Sequence, residues 1–130
     1  MQENKKETPI PGISFSKKRG EIMVFRSTIQ ALSEPVYIRF LMNMEKGCLA
    51  VQACERKTVD CFKVPTYDPK DWTFRIYSDA MQRMLWTRCG WEDNFTYRVN
   101  GTLHPEYSLV EFDLNTAERI ADVEMSAGEF

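Results

Sequence analysis

The chain is poor in the residues that most often carry chemistry. Its 130 residues hold one histidine, His104, and four cysteines, Cys48, Cys54, Cys61 and Cys89, none in a CxxC pair. Structural zinc ligands recur at short spacings, whereas these cysteines lie six, seven and 28 residues apart. No metal site is expected. No glycine-rich loop of the phosphate-cradling kind is present, nor a carboxylate pair in a recognisable motif. Nothing around any cysteine marks a nucleophile coupled to His104. No residue is therefore assigned a catalytic role, no cofactor is implied, and the chain reads as a non-enzyme.

Long hydrophobic runs are absent too. Crossing a bilayer takes roughly 20 consecutive apolar residues, and no stretch approaches that, so no membrane partner is expected. The opening MQENKKETPIPG has lysines with no apolar core behind them, unlike a secretory signal. The expectation is a soluble cytoplasmic protein whose cysteines stay reduced, with Cys48 a small buried hydrophobe in an apolar run.

What is present suffices for a packed core: 43% of residues are hydrophobic and 12% aromatic. The net charge of −2 is no sign of a general nucleic-acid coat, but it is unevenly spread. Residues 1–65 carry 11 Lys and Arg against 7 Asp and Glu, and residues 66–130 carry 6 against 12. A net of +4 in one half and −6 in the other is compatible with a basic face on the first half, or with an ordinary solvated surface.

Residues 1–12 read as a flexible arm. Residues 13–54 then form a first unit. Ile13 and Phe15 enter as a short strand, Lys17–Gly20 turns the chain, and Glu21–Arg26 is a strand apolar on both faces. Ser27 is placed to cap a short helix that Pro35 ends. Two strands follow, Val36–Leu41 and Cys48–Ala53. Residues 55–71 read as a linker, with Cys61, Phe62 and Val64 a further candidate strand. The second unit, 72–114, opens on alternating Trp72, Phe74 and Ile76. Ser78 caps a helix lined by Met81, Met84 and Leu85, which Gly90 stops. Strands follow at Phe95–Val99 and Leu109–Leu114, with a turn at Asn100-Gly101 between them. Residues 115–130 read as a helix from Thr116 to about Met125 and a tail.

The two units share an order. Setting Ser27 on Ser78 puts Met23 on Phe74 and Phe25 on Ile76. After the second helix, Leu49, Val51 and Ala53 fall on Val110, Phe112 and Leu114. Both read strand, helix, strand, turn, strand. The fold class predicted is mainly β with short helices, a pseudo-twofold β-barrel of two βαββ units sharing one core.

The run Arg19-Gly20-Glu21-Ile22-Met23-Val24, followed by Ile29-Gln30-Ala31-Leu32, resembles the amino-terminal part of the AbrB/SpoVT family. That family's pattern is a basic residue, a glycine, an I-x-I/V strand and a short helix ending in leucine and glycine. The resemblance implies a swapped-hairpin β-barrel that binds DNA through basic residues on one face. A fused pair of units would be similar to the MraZ arrangement. Three positions depart: Phe25 and Arg26 replace the proline at the helix start, Gln30 replaces the helix arginine, and Ser33 replaces the closing glycine. Arginine makes the bidentate contacts that hold bases and phosphates, so DNA contact must come from other cations.

Those candidates are Lys17, Lys18, Arg19 and Arg26 beside the first main strand, with Arg75 and Arg83 in the second unit. The expected function is DNA-binding regulation of the AbrB type, as transcription factor or antitoxin, with double-stranded DNA as partner. Alternatives are a protein–protein adaptor on the same barrel and a small-molecule module around Trp72, Trp86 and Trp91. For Trp86, Trp91 and Tyr97, packing in the core or at a dimer interface is the favoured role. The chain is expected as a monomeric pseudo-dimer or a homodimer.

Overall fold

Side chains alternate faces along a strand, and in this chain the alternation decides the core. The computed structural model describes residues 10–55, 60–65 and 73–121. Its strands are β1 (Gly12–Ser16), β2 (Glu21–Phe25), β3 (Tyr37–Asn43), β4 (Cys48–Cys54), β5 (Cys61–Lys63), β6 (Thr73–Ile76), β7 (Phe95–His104), β8 (Leu109–Asp113) and β9 (Glu118–Ala121). The helices are α1 (Arg26–Ala31) and α2 (Asp79–Cys89). Ile13 and Phe15, Ile22 and Val24, Leu49 and Val51, and Val110 and Phe112 are all fully buried. Each such side chain contributes about 1.5–3 kcal/mol on leaving water.

Every pairing is antiparallel. The order is β5-β3-β4-β8-β7-β1-β2-β6, with β9 also on β7, and the sheet curls into a half-barrel. The mainly β class with short helices is as expected.

The predicted turn at Asn100-Gly101 is not there. Strand β7 runs straight through it, pairing with β1 and β9 over Phe95–Asn100 and with β8 from Gly101 to His104. The hairpin turn comes later, in a 3-10 turn at Pro105–Tyr107. Gly101 serves close approach: a Cβ there would sit 2.5 Å from Val110 Cγ1 and 2.7 Å from Phe112 Cε1. The glycine mid-strand marks a tight contact.

The helix expected over Thr116–Met125 is also replaced. Leu114–Thr116 is a single 3-10 turn, after which β9 lies along the first half of β7. The Asp113 carboxylate accepts from Asn115 N at 3.0 Å, and Ala117 leaves in an extended conformation. The open edge of Phe95–Arg98 offers backbone partners that a helix would have forgone. Residues 122–130 lie outside the described part, as do Trp72, most of the linker and residues 1–9; Gly12, the last residue of the expected arm, belongs to β1.

Helix α2 follows its sequence signals. Ser78 caps it, accepting from Met81 N, and Gly90 ends it with φ of 64°. Its inner face is Met81, Gln82, Leu85 and Trp86, whereas Met84 is 42% exposed. In α1 the expected cap fails: Phe25 holds the N-cap position with no side-chain bond. Val36 lies exposed just before β3. Cys48 is half-buried on the face opposite Leu49 and Val51, not in the core.

Thr28 anchors α1 instead. Fully buried, its hydroxyl donates to Gly12 O at 2.7 Å and accepts from Gly12 N at 2.9 Å. Thr28→Val keeps the shape but strands both backbone groups, a loss of about 1–3 kcal/mol. Urea unfolding should show it, while Thr28→Ser retains most of the stability.

Candidate nucleic-acid interface

Three consecutive cations need a platform that holds the chain turned. Between β1 and β2, Gly20 N donates to Lys17 O at 3.1 Å and Gly20 takes φ of 69°, a left-handed value that glycine adopts without strain. Arg19 N donates to the buried Ser16 hydroxyl at 3.2 Å. Lys17, Lys18 and Arg19 project into solvent from this turn.

The turn is held from beneath by a residue of α2. The Gln82 side chain is only 3% exposed. Its Nε2 donates to Ser16 O and to Glu21 O, each at 3.1 Å. One amide thus grips both ends of the basic hairpin, across more than 60 residues of sequence. At its other end, α2 grips a second hairpin. Arg88 Nε donates to Met44 O and an Arg88 terminal nitrogen to Glu45 O at 3.2 Å, in the turn between β3 and β4. Arg88 is thereby a structural clamp on that turn.

Of the six candidate cations, the turn gathers four. Arg75 on β6 pairs opposite Met23 and reaches Glu21 at the hairpin end, Nε to Oε2 3.4 Å. Arg26 stands at the far end of β2, about 15 Å away at the usual strand rise, half-buried in a hollow with Ile29, Glu34 and Lys63. Arg83 lines a different hollow with Met44, Thr87 and Arg88. Acidic side chains accompany the four. Besides Glu21, Asp93 pairs with Lys17 at 3.3 Å. Nearby Glu92 is bound to Arg119 at 3.2 Å.

Gln82, Asp93 and Glu21 are the members of this site that sequence reasoning passed over. Gln82 left one signal, an amide within the apolar stripe of a capped helix. The two acids left none, since their partners lie across the fold.

The aromatic residues pack on one another. Trp91 stacks on Tyr97 with centroids 4.4 Å apart and planes 7° off parallel, and Trp86 meets both edge-on. Phe15 lies 5.5 Å from Trp91. Tyr97 Oη accepts from Glu92 N at 2.9 Å, which ties this cluster to the loop carrying Asp93.

A further concavity of about 340 Å³ lies on the outer face of β3, β4 and β8, where His104 Nε2 meets Glu111 Oε1 at 2.9 Å beside Cys48 and Tyr107. Burial and the Glu111 carboxylate push the Cys48 thiol up, which opposes formation of a nucleophilic thiolate. Among the described residues no group of three or more His, Cys, Asp or Glu side chains is placed to hold a metal ion. No helix among them is long and apolar enough to cross a membrane.

Gln82→Leu keeps the helix face apolar but leaves the carbonyls of Ser16 and Glu21 without their donor. The expected cost is about 1–3 kcal/mol, with faster amide hydrogen exchange confined to Ser16–Glu21. Unchanged exchange there would show that the turn stands without the clamp. No family model matches the chain, and neither a curated protein nor a solved structure matches it.

Proposed function

We propose that the chain is a DNA-binding regulator of the AbrB type, in which the Lys17–Arg19 hairpin and Arg75 contact backbone phosphates. The observation carrying this reading is the Gln82 clamp. A buried amide spent on both ends of an exposed turn holds three adjacent cations in a fixed position. Preorganised charge loses less conformational entropy on binding than the same residues on a loose loop. The ion pair of Lys17 with Asp93 does not oppose it strongly: both side chains are exposed, such pairs contribute about 0–1 kcal/mol, and phosphate can displace the Asp93 carboxylate. Arg75 is itself half exposed, although the Glu21 side chain it meets is only 15% exposed.

The pairing pattern supports the two-unit architecture that goes with this function. Exchanging β1 with β5, β2 with β6, β3 with β7 and β4 with β8 maps six of the seven pairings along the sheet onto one another. The remaining pairing, β1 with β2, has as its counterpart β5 with β6, whose connection runs through residues 66–72 outside the described part. Ser33, at the position of the resemblance's closing glycine, adopts φ of 64°, the conformation glycine favours. Strand β9 has no counterpart.

A protein–protein adaptor is the second reading, favoured by Asp93, Glu21 and Glu92 around the same hairpin. Binding of a random duplex and of the DNA upstream of the gene, measured between about 50 and 200 mM salt, separates the two. Four phosphate contacts give a slope near −3.6, a loss of about 100-fold across that range. The variant with Lys17, Lys18 and Arg19 all changed to alanine should bind at least tenfold more weakly, with a shallower slope. No binding at low salt would overturn the regulator reading, and full binding by the triple variant would overturn the choice of residues.

A further inference from the structure

Cys54 closes β4 and Cys61 opens β5, and the two strands lie on opposite sides of β3. Cys54 pairs opposite Tyr37 and Cys61 opposite Arg39. In a flat sheet, strands two apart are separated by roughly 9.5 Å. Yet the sulfurs of Cys54 and Cys61 are 2.9 Å apart, so the chain converges over the start of β3. A disulfide needs about 2.04 Å. The missing 0.9 Å falls to β5, an edge strand of three residues with only three pairs in its ladder. Both cysteines are half-buried thiols, within reach of a small reagent. Cys48 and Cys89 lie elsewhere, on the outer cleft and at the end of α2.

We propose that Cys54 and Cys61 form a dithiol that a low-molecular-weight disulfide oxidises to an intramolecular bridge, clipping edge strand β5 to β4 across β3. With oxidised glutathione as oxidant, one cysteine thiolate attacks a glutathione sulfur. That forms a mixed disulfide and expels one glutathione thiolate. The second cysteine thiolate then attacks the protein sulfur of the mixed disulfide, closes the Cys54–Cys61 bond and expels the second glutathione thiolate. The two cysteine protons end on the two glutathione thiols, and two electrons pass from the dithiol to the reagent. Both attacks need a thiolate. Burial and the neighbouring Cys61 push the Cys54 thiol up to about 11, so it is protonated at neutral pH and the reaction accelerates as pH rises from 7 towards 10.

The bridge closes a short loop, removing freedom from the unfolded chain. It also fastens the strand that connects onward to β6. This device stands apart from the basic hairpin and does not depend on the DNA reading.

The test treats the intact protein with oxidised glutathione at pH 8.5, alkylates remaining thiols, and maps peptides without reduction. Trypsin cuts after Arg56 and Lys57, so the bridge joins two separate peptides and lowers the intact mass by 2 Da. The expected result is a Cys54–Cys61 cross-link with Cys48 and Cys89 alkylated, retained in the double variant Cys48→Ser/Cys89→Ser. Cys54→Ser and Cys61→Ser should each yield only a mixed glutathione adduct. The oxidised protein should melt several degrees above the reduced one, reversibly on adding dithiothreitol. Four alkylated thiols after treatment, stable glutathione adducts on wild-type Cys54 or Cys61, or a cross-link to Cys48, Cys89 or a second chain would each overturn the proposal.

Discussion

A side chain missing at one position shapes this fold. Gly101 lets Val110 and Phe112 press against the backbone of β7 where any Cβ would collide with them. Because the strand need not bulge there, it stays extended for ten residues and pairs with β1, β8 and β9. Through β1 it reaches β2 and β6, and through β8 it reaches β4, β3 and β5. Interiors are packed to crystal-like density, so the two fully buried neighbours have no room to retreat. The same strand carries Tyr97, which meets both Trp86 of α2 and Trp91.

Polar side chains that serve backbone groups do the positioning on this frame, Thr28 and Gln82 from buried positions and Arg88 from an exposed one. Thr28 satisfies both backbone groups of Gly12, Gln82 serves two carbonyls at the basic hairpin, and Arg88 serves two more at the β3–β4 turn. Each uses a donor inventory suited to its task, the hydroxyl giving and accepting, the amide and guanidinium giving twice. The exposed ion pair of Lys17 with Asp93 is of another order, weak and screened by salt. A phosphate backbone can compete with that pair and not with the buried contacts of Thr28 and Gln82.

The strand faces were legible because alternation is local. Leu49 with Val51 and Val110 with Phe112 point inward as their spacing predicts, whereas β2, apolar on both faces, left open which side would turn in, and it is Ile22 and Val24 that do. Ser78 and Gly90 likewise announce α2 by backbone chemistry confined to one turn. What sequence misjudged was decided by contacts far along the chain. Asn-Gly is a strong turn signal, but the need of Phe112 and Val110 for space outranked it at Gly101. Ser27 has the chemistry of a cap, yet the neighbouring Thr28 found a buried partner 16 residues back. Thr116 onward had a plausible helical start, and the empty edge of β7 drew the chain into β9. In the candidate site, the basic run was plain to see, whereas the amide that holds it and Asp93, which pairs with Lys17, lie about 60 and 75 residues away in sequence.

The pairing of β1 with β7 also sets a timetable. Ile13 lies opposite Val99, 86 positions later. A chain made from its amino terminus can form the β1–β2 and β3–β4 hairpins early, since each closes over a short turn. The inner edge of β1 stays without its partner until the residues around Val99 have been synthesised. Contacts of such sequence separation slow folding far more than they weaken the final state, because closing a longer loop costs only about 0.6 kcal/mol per doubling. During that interval Phe15 also lacks Trp91, whose ring lies 5.5 Å from its own in the finished fold.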